Sequence, residues 1–359
     1  MKSFKYVLGY LLLIQLTMPY LIPLDMVFRD RMDYSLVKDN LYSIDVILDQ
    51  IDLQIKREKL TDYIIILGDS IAYSGPGNAK QSIGFYMQQL ARESSPAHPC
   101  QIFNLSLPAM QTGDIYTMLL KLDQHHISTD NVIINVNYSG FVDREPSPPS
   151  VFWLKNDLKY LDKDSFNRVL ANLKANNYKD QKDLEFKVHQ MVLDNVEMDR
   201  YSAFIKKALY SRLRELIGAS PLDDALGDAR PWFEKEGLRQ ILQQPEYLPG
   251  FSSKAFDMSI NNPQIYFLDK IIAHQQKKHT LIFLAAANET LMRDEVMAPG
   301  YIRNLQQIDH YFQMQEVTYL NLQGKIDSNL FSDHLHLTAG GYQGLAQLLW
   351  NNFEGGAKS

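Results

Sequence analysis

The sequence predicts an α/β fold built on a parallel sheet, and three observations carry that expectation. The run Tyr63-Ile64-Ile65-Ile66-Leu67 ends abruptly in Gly68-Asp69-Ser70, the pattern of a strand buried on both faces that delivers a side chain at its carboxyl end. Val132-Ile133-Ile134-Asn135-Val136-Asn137 and Thr280-Leu281-Ile282-Phe283-Leu284 repeat the pattern, one closing on an amide and the other on Ala285-Ala286-Ala287-Asn288-Glu289. Stretches of helical length separate the strands, and such alternation makes βαβ units.

Taken in order, the chain opens with the apolar stretch Tyr6 to Leu24, preceded by Lys2 and Lys5 and followed by Asp25 and Arg29-Asp30-Arg31. It is about long enough to cross a bilayer. No small-x-small cleavage site follows, so residues 1–28 read as a retained single-pass anchor, with the remainder on the extracytoplasmic side of the cell membrane. Gln15, Pro19 and Pro23 interrupt the stretch, and a buried amino-terminal hairpin is the alternative. Residues 29–62 read as a stalk, because Ile44, Ile47, Leu48, Ile51 and Ile55 fall on one helical face.

The strand at Tyr63 follows, then a helix around Gly84 to Arg92, the strand at Phe103, a helix from Gly113 to His125 and the strand at Val132. After Phe141 the pattern breaks at Arg144-Glu145-Pro146-Ser147-Pro148-Pro149. Residues 143–262 read as a mostly helical, charged insertion. Within it, Phe204, Leu209, Leu213 and Leu216 share a helical face, with Lys206, Lys207, Arg212 and Arg214 beside them. That pattern suits a membrane surface or a lid packed inward. Trp153, Trp232 and Tyr247 suit either a substrate cleft or the core. The alternation resumes with a helix from Pro263 to Lys278, the strand at Thr280, a helix from Tyr301 to Phe312, a strand at Thr318 to Leu322 and an apolar helix around Leu345 to Trp350.

At 359 residues the chain has room for a large α/β domain with an insertion. A net charge of −6 provides no electrostatic footprint for nucleic acid. The single cysteine, Cys100, forms no internal disulfide. Neither a Walker-type loop, a dinucleotide-binding glycine pattern nor a spaced metal-ligand set is visible, and no cofactor is expected.

Four segments carry chemistry. Ser70 sits where open α/β sheets keep their sites, although a serine there also suits a helix N-cap. Asp333 stands three residues before His336. On one turn its carboxylate can fix the imidazole tautomer and stabilise the imidazolium formed when the His takes a serine proton. The pair also suits a capping Asp and a space-filling His. Asn104 to Ala109 runs from a strand end into a polar loop, and Asn137 ends another strand; backbone N–H groups and an Asn amide suit a developing oxyanion.

In this order the four segments resemble the SGNH or GDSL family of hydrolases and acyltransferases, over residues 63–142 and 263–353. The resemblance implies a three-layer αβα sandwich for 63–142 with 263–359. It implies Ser70 as nucleophile, His336 as general base and Asp333 as its orienter. His334, next to Asp333, projects elsewhere on this reading. The implied oxyanion donors are the N–H of Ser70, the N–H of Ala109 and the side chain of Asn137. The family usually has Gly where Ala109 stands, and Gly-x-Asn-Asp where this chain has Asn135-Val136-Asn137-Tyr138. Ala109 therefore takes a conventional backbone, or Gly113 takes over its role.

The function implied is a membrane-anchored serine esterase or O-acyltransferase acting through an acyl-enzyme on Ser70, with an acyl ester of a cell-surface glycan or lipid as substrate. The architecture looks like accessory proteins that partner membrane-bound O-acyltransferases in modifying cell-surface polymers. Two rivals remain: a non-catalytic surface-polymer binding or assembly protein that keeps the fold, and a soluble lipase-like enzyme.

Overall fold

Five strands form the central sheet: β1 (Tyr63–Leu67), β2 (Gln101–Asn104), β3 (Asn131–Val136), β4 (His279–Leu284) and β5 (Thr318–Asn321). They pair in the order β2-β1-β3-β4-β5, and every neighbouring pair is parallel. The structure is a computed structural model describing residues 2–97, 99–144, 147–179, 188, 196–219, 224–244 and 247–357. Glu145 and Pro146 of the expected turn-rich exit lie outside the described residues.

The continuous aliphatic runs follow from burial on both faces. Ile64, Ile66, Ile133, Leu281 and Phe283 cluster with Ile83, Met87 and Ala91 of α3 (Ile83–Ser94) and with Leu345 and Leu349 of α8 (Ala339–Ala357). Ile65, Phe103, Val132, Ile134 and Ile282 on the other face are equally buried. Helix α4 (Thr112–Gln124) packs against α6 (Pro263–His274), and α3 packs against α8. The mixed α/β architecture is thus as expected, and the arrangement is consistent with an αβα sandwich. Ile66 is fully buried, and its truncation to Ala costs about 2–5 kcal/mol.

Chain order fixes where a site can lie. The chain passes from β1 to β2 on one side and then to β3 on the other, so strand order reverses at β1. A crevice opens outside the carboxyl ends of the strands at such a reversal. Ser70 follows β1 there and Asn137 follows β3.

Two compact units divide the chain, at points that differ from the sequence boundaries. The first joins residues 1–61 to 179–223; the second joins 62–178 to 224–359. The expected insertion, 143–262, is therefore shared between them. In the first unit, the expected stalk is α2 (Ser43–Glu58), which buries Ile44, Ile47, Leu48 and Ile51 while Ile55 is half-buried. It packs beside α5 (Glu197–Leu216). Gln50 donates to Tyr201 Oη and to the Pro19 carbonyl, and Arg200 pairs with Asp49 and Glu197. Tyr201 and Phe204 of α5 are buried, but Leu209, Leu213 and Leu216 are exposed, so the apolar face is covered only at its amino-terminal end.

The amino-terminal stretch folds as α1 (Lys2–Leu21). Among the described residues no helix is long and apolar enough to cross a membrane. The interruptions are visible in α1: Pro19 lies inside it, Thr17 Oγ1 donates to the Leu13 carbonyl, and Gln15 accepts from the Glu197 N–H.

In the second unit, residues that begin the expected insertion are tied to the sheet domain. The buried Asp114 carboxylate accepts from the N–H groups of Phe152, Trp153 and Leu154 at 2.7–2.8 Å and from Gln111 at 2.9 Å. Trp153 Nε1 donates to the Pro108 carbonyl and Trp232 Nε1 to the Ser328 carbonyl, so both rings are structural.

Candidate active site

The nucleophile candidate is held by a close approach of backbone. A Cβ at Gly68 would stand 2.6 Å from the Asn135 Cβ and 2.8 Å from the Ala72 Cβ, so β1 can turn there only with glycine. Asp69 caps the short helix that begins at Ser70, its carboxylate accepting from the Ile71 N–H at 2.9 Å. Ser70 Oγ emerges 2.9 Å from His336 Nε2.

The other end of this contact is built within one turn. Asp333 Oδ1 accepts from the N–H groups of Leu335 and His336 at 2.8 and 2.7 Å, while Oδ2 lies 2.8 Å from His336 Nδ1. The Ser332 N–H closes the turn on the His336 carbonyl at 2.8 Å. The three expected residues thus form one hydrogen-bonded chain, Asp333 to His336 to Ser70. The imidazole nitrogen nearest the serine is Nε2, and Nδ1 faces the carboxylate.

Electrostatics follow the geometry. Burial pushes the Asp333 carboxyl up, but the charge and hydrogen bond of His336 outweigh it and hold the group well below the usual carboxylate range. Burial pushes the His336 imidazole down, but Asp333 raises it, with a further contribution from Asp69, and the net shift is upward. Asp69 is half-buried as a residue, yet the dense packing around its carboxylate pushes it up to about 6 despite the Ile71 N–H.

The expected oxyanion donors fare differently. Ala109 adopts φ +64°, the left-handed conformation that glycine takes without cost. Its N–H makes no hydrogen bond among the described residues, and Ala109 is exposed. The loop that carries it runs along the nucleophile turn, since the Leu107 N–H donates to the Gly68 carbonyl at 3.1 Å. The expectation of a conventional backbone at Ala109 or a substitute role for Gly113 is therefore corrected. Gly113 lies in α4, where a Cβ would meet the Ser150 carbonyl at 2.4 Å, and packing is its reason. Asn104 is fully buried and structural: its amide donates to the Ala72 carbonyl at 2.8 Å and accepts from the Ser106 N–H. Asn137 lies at the end of β3, but its side-chain N–H donates to Asp69, and its Oδ1 is buried without a partner. Asn135 is buried against Gly68, out of reach of a substrate.

His334 turns away from the serine. Its ring meets Phe251 and Tyr247 edge-on, with centroids 5.8 and 6.1 Å apart, and its Nδ1 is buried with no hydrogen bond. Asp333 Oδ1, at 3.6 Å, lies within ion-pair range but beyond hydrogen-bond reach. Burial outweighs that carboxylate and keeps the His334 imidazole below its ordinary value.

Three positioning residues escaped the sequence reading. Asn288, fully buried, donates its backbone N–H to the His334 carbonyl at 3.0 Å and accepts from Thr290 and Leu291, so it braces the Asp333 turn. Tyr342 Oη donates to the Gly75 carbonyl, pinning the start of α8 to the nucleophile segment. Asp69 holds the Asn137 amide. A polar Asn after three alanines at a strand end was the signal for Asn288; Tyr342 and Asp69 had none beyond their neighbours. Among the described residues, no group of His, Cys, Asp or Glu is placed to hold a metal ion. Set against known proteins, the chain matches no protein-family model and no curated protein.

Proposed function

We propose that the protein is an SGNH-type serine esterase or O-acyltransferase. The observation that carries this reading is the chain from Asp333 through His336 to Ser70, with heavy-atom separations of 2.8 and 2.9 Å. Ser70 Oγ attacks an ester carbonyl and passes its proton to His336 Nε2. The tetrahedral intermediate collapses, the alcohol leaves with that proton, and the acyl group stays on Ser70. Water or a sugar or polyol hydroxyl then attacks the acyl-enzyme, giving its proton to His336, and Ser70 is released on protonation. The N–H groups of Ser70 and Ala109, with the Asn137 amide, are the donors for the oxyanion. Every residue named serves hydrolase and transferase alike.

Treatment with a fluorophosphonate tests the reading. The expected result is an adduct in the intact mass that maps to Ser70 and is absent from Ser70→Ala. A folded protein that takes up no label would overturn it.

The engagement of Asn137 by Asp69 favours a second reading, a non-catalytic binding protein of the same fold, because a donor already satisfied is not free for an oxyanion. The same labelling experiment separates the two.

The location proposed is the extracytoplasmic face of the cell membrane, with a membrane-bound O-acyltransferase as partner and a glycan or lipid ester as substrate. Exposure of Tyr10, Leu11, Leu12, Leu13 and Leu16 in α1 supports membrane association. The protein is expected to sediment with membranes and to need detergent for release; full recovery in salt alone would sink the proposal.

A further inference from the structure

Beside the Ser70 and His336 contact, at the carboxyl ends of β3 and β4, lies a cavity of about 180 Å³. Asn137, Arg144, Tyr247, Phe251, Tyr301 and His334 are among its walls. That volume is below the roughly 300–1,000 Å³ of pockets that take a whole ligand. It suits one portion of a larger substrate.

Two polar groups in these aromatic walls make no hydrogen bond among the described residues. The Arg144 guanidinium forms no hydrogen bond or ion pair among the described residues, and burial pulls its pKa down. Its Nη1 lies beside Gly250, 3.8 Å from where a Cβ there would stand. His334 Nδ1 is buried in the same cavity without a hydrogen bond. A partly buried cation without a counter-charge is unfavourable, because desolvation is not repaid. An incoming anion reverses that balance, and a guanidinium fork matches carboxylate and phosphate geometry.

We infer that this cavity receives an anionic group, a carboxylate or a phosphate, carried by the ester that Ser70 attacks, with Arg144 as its counter-ion and His334 as a second polar contact. The inference rests on the esterase reading above for its link to Ser70. Arg144 is then a specificity residue, and neutral esters are the poorer substrates. Asn137 lines the cavity while neither Ser70 nor His336 is among its walls, so the anion sits apart from the reacting carbonyl.

The test compares three esters: p-nitrophenyl acetate, which is neutral; p-nitrophenyl hemisuccinate, with a carboxylate in its acyl portion; and 4-acetoxyphenyl phosphate, with a phosphate in its alcohol portion. For at least one anionic ester, kcat/KM relative to the neutral ester should fall about tenfold to a hundredfold in Arg144→Ala, the loss of one charge-assisted contact. Arg144→Lys should keep part of the preference, since it keeps the charge without the fork. In parallel, inorganic phosphate and succinate are titrated calorimetrically into Ser70→Ala and into Ser70→Ala with Arg144→Ala. Saturable binding that is lost with Arg144 supports the site, and the anion that binds tells carboxylate from phosphate. If no ester is cleaved but this binding is seen, the esterase reading fails and the anion site stands. An unchanged ester preference together with no Arg144-dependent anion binding would overturn the inference.

Discussion

The Asn137 side-chain amide donates to the Asp69 carboxylate, so the donor expected to face an oxyanion is held by the residue that precedes Ser70, the candidate nucleophile. This contact orients Asn137 across the crevice between β1 and β3 and gives the amide a partner when no substrate is bound. Asn137→Ala should lower turnover of p-nitrophenyl acetate by about a hundredfold to a thousandfold, the typical cost of one oxyanion donor. Near-normal turnover would mean that the amide serves Asp69 alone.

The pH dependence of ester cleavage should report His336. A general base must be neutral, and His336 is shifted upward, so kcat/KM should rise with pH along a limb whose midpoint lies above the ordinary value of 6.5. Asp333→Asn removes the charge that raises it, moving the midpoint down and lowering turnover by about ten-thousandfold, as expected when the tautomer is no longer fixed. A midpoint that stays in place in Asp333→Asn would contradict the assignment of Asp333 as the group that sets it.

Asp69 links pH to stability in the opposite sense from Asp333. Its folded pKa of about 6 lies above the ordinary 3.8, so its contribution is fully present below 3.8 and is lost as pH rises through 6. The full change is roughly 3 kcal/mol. Asp333 is depressed, so its contribution is present at neutral pH and lost as pH falls below the ordinary carboxylate range. Urea unfolding of wild type and Asp69→Asn at pH 4 and pH 7.5 isolates the first effect: wild type should lose more stability than the variant on going to pH 7.5. An equal change in both proteins would show that Asp69 does not titrate in this window.

Backbone and packing demands at Ala109 and Gly113 predict opposite outcomes for small substitutions. Ala109 is held at φ +64°, where an alanine costs about 1–2 kcal/mol, so Ala109→Gly should be neutral or stabilising by roughly 1 kcal/mol after the entropy of glycine is counted. Gly113→Ala drives a Cβ to 2.4 Å from the Ser150 carbonyl and should cost about 1–3 kcal/mol. Midpoints of urea unfolding check both; a destabilised Ala109→Gly would mean that the loop draws on the alanine side chain.

Ser70→Ala and His336→Ala should each remove most ester cleavage, and the double variant should be little worse than either, because the pair acts as a unit. His334→Ala should still take fluorophosphonate on Ser70, since its ring faces Phe251 and Tyr247. Labelling lost in His334→Ala but kept in His336→Ala would reverse the two roles.

Much of the sheet was legible because burial on both faces leaves an unbroken aliphatic run, and β1, β3 and β4 each carry one. The Asp333 and His336 spacing was legible for a similar reason: a three-residue interval fits one turn whatever surrounds it. Ala109 was harder, because its φ of +64° belongs to the tight turn that the Met110 N–H closes on the Leu107 carbonyl, at a position where glycine is the ordinary signal and alanine is none. The shared burial of α2 and α5, separated by more than a hundred residues of chain, depends on pairs such as Gln50 with Tyr201 that no periodicity announces. Arg144 looked like one more loop cation until the cavity beside it was seen.

The single turn that holds Asp333 and His336 gives the protein two separate controls over its candidate base. The main upward push on the basicity of His336 comes from inside residues 332–336, where Asp333 meets its Nδ1 at 2.8 Å, while burial and Asp69 act on it from the surrounding fold. Reach is set elsewhere, by Tyr342 on Gly75 and by Asn288 under the turn, which together dock this unit against Ser70. A loosened dock therefore carries the candidate base away from Ser70 with its Asp333 partner still attached, whereas a damaged turn leaves the imidazole within reach of Ser70 but without the carboxylate that raises it.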